Sequence, residues 1–365
     1  MIGPPRMLGP DAGAVLEKAL DGRRLEVEEG LSLLQAADLA ELAAAAGEVA
    51  RRRHPDRTVT FVVDRNINYT NICVTRCRFC AFHRSAGDPD AYVLPLEEIL
   101  AKVEEAVALG ATQLLIQGGH HPTLKFDYYL EMCRRIRDRF PQVDVHSFSP
   151  SEVLHFSRTY RLPVRRVLEE LRGAGLASLP GGGAEILDDR VRGAVSPAKN
   201  TWSEWMGVME AAADLGLKAT ATMMFGHVET LEERILHLER IRQVQDRKGV
   251  FRAFIPWTYQ PGNTRLGGTA ASAFDYLRTV AVSRLYLDNV ENLQASWVTQ
   301  GGKVAQLSLD CGCNDFGGTM LEENVVRSAG VSFRLSQAEV IALIRGAGRQ
   351  PAKRNTRYEI LERYD

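Results

Sequence analysis

The stretch Cys73-Val-Thr-Arg-Cys77-Arg-Phe79-Cys80 decides how the rest of the chain is read. It follows a strand-like run, Thr58 to Asp64, and the polar segment Arg65-Asn-Ile-Asn-Tyr-Thr-Asn71. Three thiols fall within eight residues, separated by three residues and then by two. A structural zinc site needs four ligands, usually as two separated pairs. No second cysteine pair or His-x-His group follows at matching distance, and Cys311-Gly-Cys313 lies far downstream. Three neighbouring thiolates suit three irons of a 4Fe-4S cluster instead, because soft sulfur ligands favour such clusters. The fourth iron is then open to a small molecule, and an open metal position marks a catalytic site. Cys133, in Tyr129-Leu-Glu-Met-Cys133, reads as an ordinary buried thiol.

Composition sets the frame around that loop. Six cysteines, three of them crowded together, argue for a reducing compartment and metal binding rather than disulfides. A chain of 365 residues can form two average domains or one larger α/β barrel. Its hydrophobic share of 45% and charged share of 25% are those of a globular protein. A formal net charge of −1 gives no electrostatic case for nucleic acid or an anionic membrane. No apolar run is long enough to span a bilayer, and Met1-Ile-Gly-Pro-Pro-Arg-Met7 lacks the apolar core of a signal peptide. The expectation is a cytoplasmic enzyme.

Outward from the cysteines, apolar periodicity changes character along the chain. Residues 11–53 carry leucines and alanines at three- and four-residue spacing, predicting packed helices without candidate ligands. Residues 1–57 are therefore expected to form an N-terminal helical extension. From residue 58, strand-like runs alternate with helical ones: 58–64, 112–117, 143–147, 176–179, 218–225, 251–258, 293–297 and a weak run at 313–316. Repeated β–helix–β units need right-handed crossovers and so give a parallel sheet with helices outside. Eight units predict a (β/α)8 TIM-type barrel over residues 58–335, with an open six-strand barrel as the alternative, and 336–365 as a C-terminal helix and tail. Parallel barrels place chemistry at strand C-terminal ends.

Glycine-, histidine- and acid-bearing segments follow those strands. Gln117-Gly118-Gly119-His120-His121 offers backbone without side chains, which lets a ligand approach closely. Pro180-Gly-Gly-Gly-Ala-Glu185 lacks the Lys-Ser/Thr of a phosphate loop and ends in an acid, Glu185, which could also cap a helix. His120, His121, His227, Glu229 and Asp310 are candidates for proton transfer. His146, alternating with Val143 and Val145, reads as structural. Trp257 and Tyr259 stand where an aromatic substrate ring could stack, although most aromatics are core. The Cys311/Cys313 pair reads as structural, since one intervening residue is poor zinc geometry.

Cys73, Cys77, Phe79 and Cys80 fill every slot of C-x3-C-x-aromatic-C, and on them the chain resembles radical SAM enzymes. That resemblance implies that Cys73, Cys77 and Cys80 hold the cluster and that S-adenosylmethionine chelates the open iron. It further implies contacts to the nucleotide from Phe79, Gln117, Gly118, Gly119, Ser149, Glu185 and Gly226. The usual glutamate after the two glycines is missing, so that contact falls to Gln117 or backbone carbonyls. The wider series, including Cys80-Ala-Phe82, Gln117-Gly-Gly-His-His-Pro122, Ser147-Phe-Ser-Pro150, Met223-Met-Phe-Gly-His-Val-Glu-Thr230 and Phe254-Ile-Pro-Trp-Thr-Tyr-Gln-Pro261, is similar to the cyclic dehypoxanthine futalosine synthase family. Aminofutalosine synthase and deazaflavin synthase are the alternatives within the superfamily. An iron–sulfur electron carrier or a zinc-stabilised binding module is the alternative outside it, although a carrier normally closes its cluster with four cysteines. The resemblance implies dehypoxanthine futalosine as substrate, a place in menaquinone biosynthesis, and an external one-electron donor such as flavodoxin or ferredoxin.

Overall fold

A computed structural model describes residues 10–364. The extension consists of helices Ala12–Leu20, Val27–Ala36 and Leu39–Arg53. The first and third begin at Asp11 and Asp38, whose carboxylates accept from the first-turn amides Gly13 and Ala40. Their leucine faces, Leu33, Leu34 and Leu42 among them, are buried. They pack on the barrel's outer helices Leu231–Lys248 and Ala273–Tyr286. Gly30 fits there because the Tyr286 ring comes within 2.8 Å of where a Cβ would stand. Among the described residues no helix is long and apolar enough to cross a membrane.

The strands are β1 Thr58–Val62, β2 Asp64–Ile67, β3 Gln113–Ile116, β4 Asp144–Ser147, β5 Leu176–Leu179, β6 Lys218–Phe225, β7 Phe251–Thr258, β8 Asn292–Leu293, β9 Asp315–Gly318, β10 Gln350–Arg354 and β11 Ile360–Arg363. β2 to β8 form one parallel sheet in chain order. β9 pairs in parallel with β1 and bridges to the end of β8 through Gln294 and Asp315. The Ala295 amide donates to Asp315 and the Thr319 amide to Val62, each at 2.9 Å. The ring thus closes as a (β/α)8 barrel, since β1 and β2 are one strand broken at Val63. The expected fold stands and the open six-strand alternative falls. Residues 176–179, 218–225 and 251–258 are strands with the bounds their sequence predicts.

Two differences have physical causes. The polar run after Asp64 reads as loop in the sequence, yet it continues as strand to Ile67. Asn66 and Asn68 are buried there, Asn66 on the wall of a central cavity, so hydrophobic alternation does not announce that strand. The second difference is the tail. After helix Gln337–Gly346, β10 runs parallel to β1 over Thr58–Phe61, and β11 returns antiparallel beside it. This hairpin rises into the barrel from the strands' N-terminal side and forms a floor. Arg354 at its tip is buried and pairs with Asp315 through Nε at 2.5 Å and Nη2 at 3.0 Å. Thr60 Oγ1 donates to the same carboxylate at 2.6 Å.

Candidate active site

The cysteine loop sits above the C-terminal end of β2 and is fastened from several sides. The Cys73 amide donates to Arg84 at 3.0 Å, the Val74 amide to His120 at 3.0 Å and the Arg78 amide to Val195 at 2.8 Å. Cys77 is buried while Cys73 and Cys80 are half-buried, and all six cysteines are free thiols. Burial pushes the Cys77 thiol up to about 12, so its thiolate is unfavourable until a cation or a metal sits against it. Asp90 pairs with Arg84 at 2.7 Å and braces the far arm of the loop.

Gly118 and Gly119 lie against this loop. A Cβ on Gly118 would come 2.5 Å from the Tyr69 ring, and one on Gly119 would come 2.2 Å from the Ile72 carbonyl oxygen. Close approach is therefore what the glycines provide, but the approaching group is the chain itself. The Gly118 amide donates to Glu152 at 3.0 Å and the Gly119 amide to Thr70 at 2.9 Å. Glu152, which no sequence motif singles out, also accepts from Tyr69 Oη at 2.7 Å. Ser149 caps helix Pro150–Tyr160 in a reciprocal capping box with this same Glu152. Its hydroxyl is thereby engaged.

Glu185 is held where the glycine turn ends, in a left-handed conformation with φ 42°. Its buried carboxylate meets Lys199 Nζ at 2.7 Å and Arg192 Nη1 at 3.2 Å. Burial alone would raise this carboxyl, yet Lys199 and Arg192 together hold it below the usual carboxylate range. Lys199 Nζ lies 5.5 Å from the centre of the Phe79 ring and is stabilised as a cation by Glu185 and Cys77 against its burial. Lys199 is a second residue that sequence reasoning misses. In sequence it is one lysine in Ser196-Pro-Ala-Lys199-Asn, with nothing nearby to single it out.

The proton-transfer candidates are not gathered at one point. His120 Nδ1 bonds Thr75 Oγ1 at 2.7 Å and its ring stacks on His155 at 4.9 Å. Burial lowers its pKa well below the ordinary imidazole value, making it a weak base. His121 Nδ1 accepts from the Thr123 and Leu124 amides and so ties a turn. His227 lies 3.1 Å from Glu229, and Glu229 also accepts from Arg234 Nε at 2.9 Å and the Gly226 amide at 2.6 Å. Both side chains are closed to solvent, fixing the loop after β6. Gly226, at φ 87°, makes room for Ala271, which comes in from the segment after β7. Asp310 is at the wrong end: it adjoins helix Leu39–Arg53 and pairs with Arg349, just before β10, while its side chain is 64% exposed. Cys311 and Cys313 are buried beside it.

Below the cysteine loop a cavity of about 240 Å³ runs down the barrel axis. Gln117, the glycines at 181 and 182 and Trp257 line its upper part, and Arg252, Arg354 and Thr356 its lower part. Gln117 Nε2 would come 2.6 Å from a Cβ on Gly182, so this turn needs glycine to admit the amide. The carboxylates on the wall are Asp64 and Glu323, and the imidazole is His146. Burial pushes Asp64 up to about 6 and His146 down to about 3.

The Radical SAM superfamily matches residues 67–241, and the CofH/MqnC C-terminal region matches residues 247–365. The chain is 47% identical to cyclic dehypoxanthine futalosine synthase of Halalkalibacterium halodurans, over 96% of this chain and 95% of that one. It is 40% identical to aminodeoxyfutalosine synthase of Thermus thermophilus, over 96% of each. Among solved structures, methylornithine synthase superposes with a TM-score of 0.74 at 18% identity, covering 93% of this chain and 97% of that one. The chain belongs to the radical SAM family that holds the cyclic dehypoxanthine futalosine synthases.

Radical SAM enzymes use a 4Fe-4S cluster and S-adenosylmethionine, and the residues present fit both. Among the described residues no three His, Cys, Asp or Glu side chains converge on one ion position. A mononuclear zinc centre would need such convergence, whereas a cube-shaped cluster takes each thiolate on a different iron. The Gly118 and Gly119 carbonyls accept no hydrogen bond among the described residues, leaving acceptors free beside the loop.

Proposed function

We propose that this enzyme closes dehypoxanthine futalosine to its cyclic form, a step of menaquinone biosynthesis. The observation that carries the reading is the cavity of about 240 Å³, walled by the barrel and floored by the C-terminal hairpin, whose upper end reaches Gln117 beside the glycines that lie against the three-cysteine loop. With S-adenosylmethionine on a reduced cluster, the chemistry supplied is a 5′-deoxyadenosyl radical, and an external one-electron donor such as flavodoxin or ferredoxin provides the electron. Cys73, Cys77 and Cys80 hold the cluster. Phe79, Gln117, the Gly118 and Gly119 carbonyls, Glu185 with Lys199, and the turn at Gly226 surround the nucleotide; Ser149 acts by fixing Glu152 and hence Gly118. The walls exclude water and hold the ribose C4′ hydrogen toward the loop, with the benzoate ring close behind the same carbon. The bound nucleotide would supply removal of the C4′ hydrogen; C4′ would then bond to the ring, and the ring would regain aromaticity by giving one proton to a base on the wall and one electron to a one-electron acceptor such as the oxidised cluster. Asp64 or Glu323 can accept that proton, being the carboxylates on the cavity wall.

The test is anaerobic incubation of reconstituted protein with each of two substrates. Dehypoxanthine futalosine is expected to give cyclic product and an equal amount of free 5′-deoxyadenosine. Turnover only of an enolpyruvyl benzoate, with the nucleoside retained in the product, would assign aminofutalosine synthase chemistry instead.

A further inference from the structure

The cavity floor carries a cation with no acidic partner. β6 and β7 pair Ala219 with Phe251 and Thr220 with Ala253, so Arg252 is one residue extra. This is a bulge in a parallel pair, where bulges are rare, and bulges re-aim side chains. The bulge puts Arg252 on the cavity wall, while Phe251 and Ala253 are buried. Its guanidinium donates to the Thr356 carbonyl at 3.0 Å. No Asp or Glu lies within ion-pair distance among the described residues, and Asp144 and Glu359 act on it only from farther away. Arg354, by contrast, is neutralised by Asp315.

Neutral polar groups share the cavity wall with this guanidinium. His146 Nδ1 bonds Ser178 Oγ at 2.7 Å, and His146 Nε2 has no protein partner among the described residues. The Thr356 hydroxyl beside it is buried without a partner. An unpaired guanidinium and spare polar groups on a half-enclosed wall are costly to keep unless an anion completes them.

We propose that Arg252, with His146 and Thr356, seats the aromatic carboxylate of the substrate. This rests on the cyclisation reading above. If ribose C4′ faces the cysteine loop at the strand C-terminal ends, the carboxylate on the benzoate ring points down the barrel. Arg252 is the unneutralised cation there, and a guanidinium in this setting binds carboxylate through charge-assisted hydrogen bonds. The floor thereby fixes how far the ring stands from C4′.

The experiment measures direct binding of dehypoxanthine futalosine and of its benzamide analogue to anaerobic, cluster-loaded protein. The native protein is expected to prefer the acid by roughly 10- to 100-fold, the range for hydrogen bonds to a charged group. Arg252→Gln should bind the acid as weakly as the amide, with the cluster spectrum and S-adenosylmethionine binding unchanged, and Arg252→Lys should keep most of the preference. Equal affinity of native protein for acid and amide, or undiminished acid binding by Arg252→Gln, would overturn the seat. Native protein that binds neither compound would instead overturn the cyclisation reading, and the seat with it.

Discussion

The two ends of the barrel cavity are built on opposite principles. The rim is local: three cysteines and an aromatic residue within Cys73–Cys80, clamped by backbone hydrogen bonds to Arg84, His120 and Val195. The floor is assembled from distant pieces, with Arg252 from β7, His146 from β4, and Arg354 and Thr356 from a hairpin almost at the C-terminus. The rim carries groups that gain by meeting a metal, the floor a charge that gains by meeting an anion. A generator of radicals can therefore stay constant at one end while the other end selects what is presented to it.

The sharpest way to break this division is at the rim. Cys77→Ala is predicted to abolish 5′-deoxyadenosine formation while leaving the barrel folded, because the thiol contributes little packing beyond its own small volume. Iron content and circular dichroism on the same sample check it. Unchanged nucleoside formation would mean that the thiol trio is not where the chemistry starts.

The same contrast explains what can be read from sequence. Cysteine spacing is a statement about neighbours in the chain, so the rim is legible in the sequence by itself. So is the strand–helix alternation, down to the bounds of β5, β6 and β7. Three things are not. The strand through Asn66 faces a polar cavity and so breaks the apolar code that marks strands. Arg252 lies in a run that reads as an ordinary strand, and only the register with β6 reveals that it is an added residue. Lys199 and Glu152 take their roles from partners at residues 185 and 118. The conspicuous motifs also have a structural side that spacing does not show: His121, His227 and Glu229 tie loops, and Tyr69 and Ile72 press on the paired glycines.

The floor breaks differently. Asp315→Asn leaves the buried Arg354 guanidinium without its counter-charge and removes the best acceptor for Thr60. Truncating one partner of a buried pair costs about 3–5 kcal/mol, so urea unfolding should show a loss of that order. Because β10 is stitched to β1 along Thr58–Phe61, the loss is expected to be global and not confined to the tail. A variant as stable as the native chain would show that the hairpin merely covers the barrel.

The smallest effect belongs to Asp310, which has the right chemistry for proton transfer and the wrong address. Its side chain is 64% exposed, and its partner Arg349 leads into β10 beneath the floor. Arg349 is largely covered but the carboxylate is open to water, and ion pairs screened in this way contribute about 0–1 kcal/mol, so Asp310→Asn should shift the unfolding midpoint slightly and leave turnover and its pH profile unchanged. The first strand of the hairpin stands between this carboxylate and the cavity, and Asp64, raised by burial to about 6, stands on the cavity's own wall. A pH profile that loses its acidic limb in Asp64→Asn but keeps it in Asp310→Asn would put the titrating carboxylate inside the barrel. The reverse would require a proton path through the floor, past the buried Arg354–Asp315 pair.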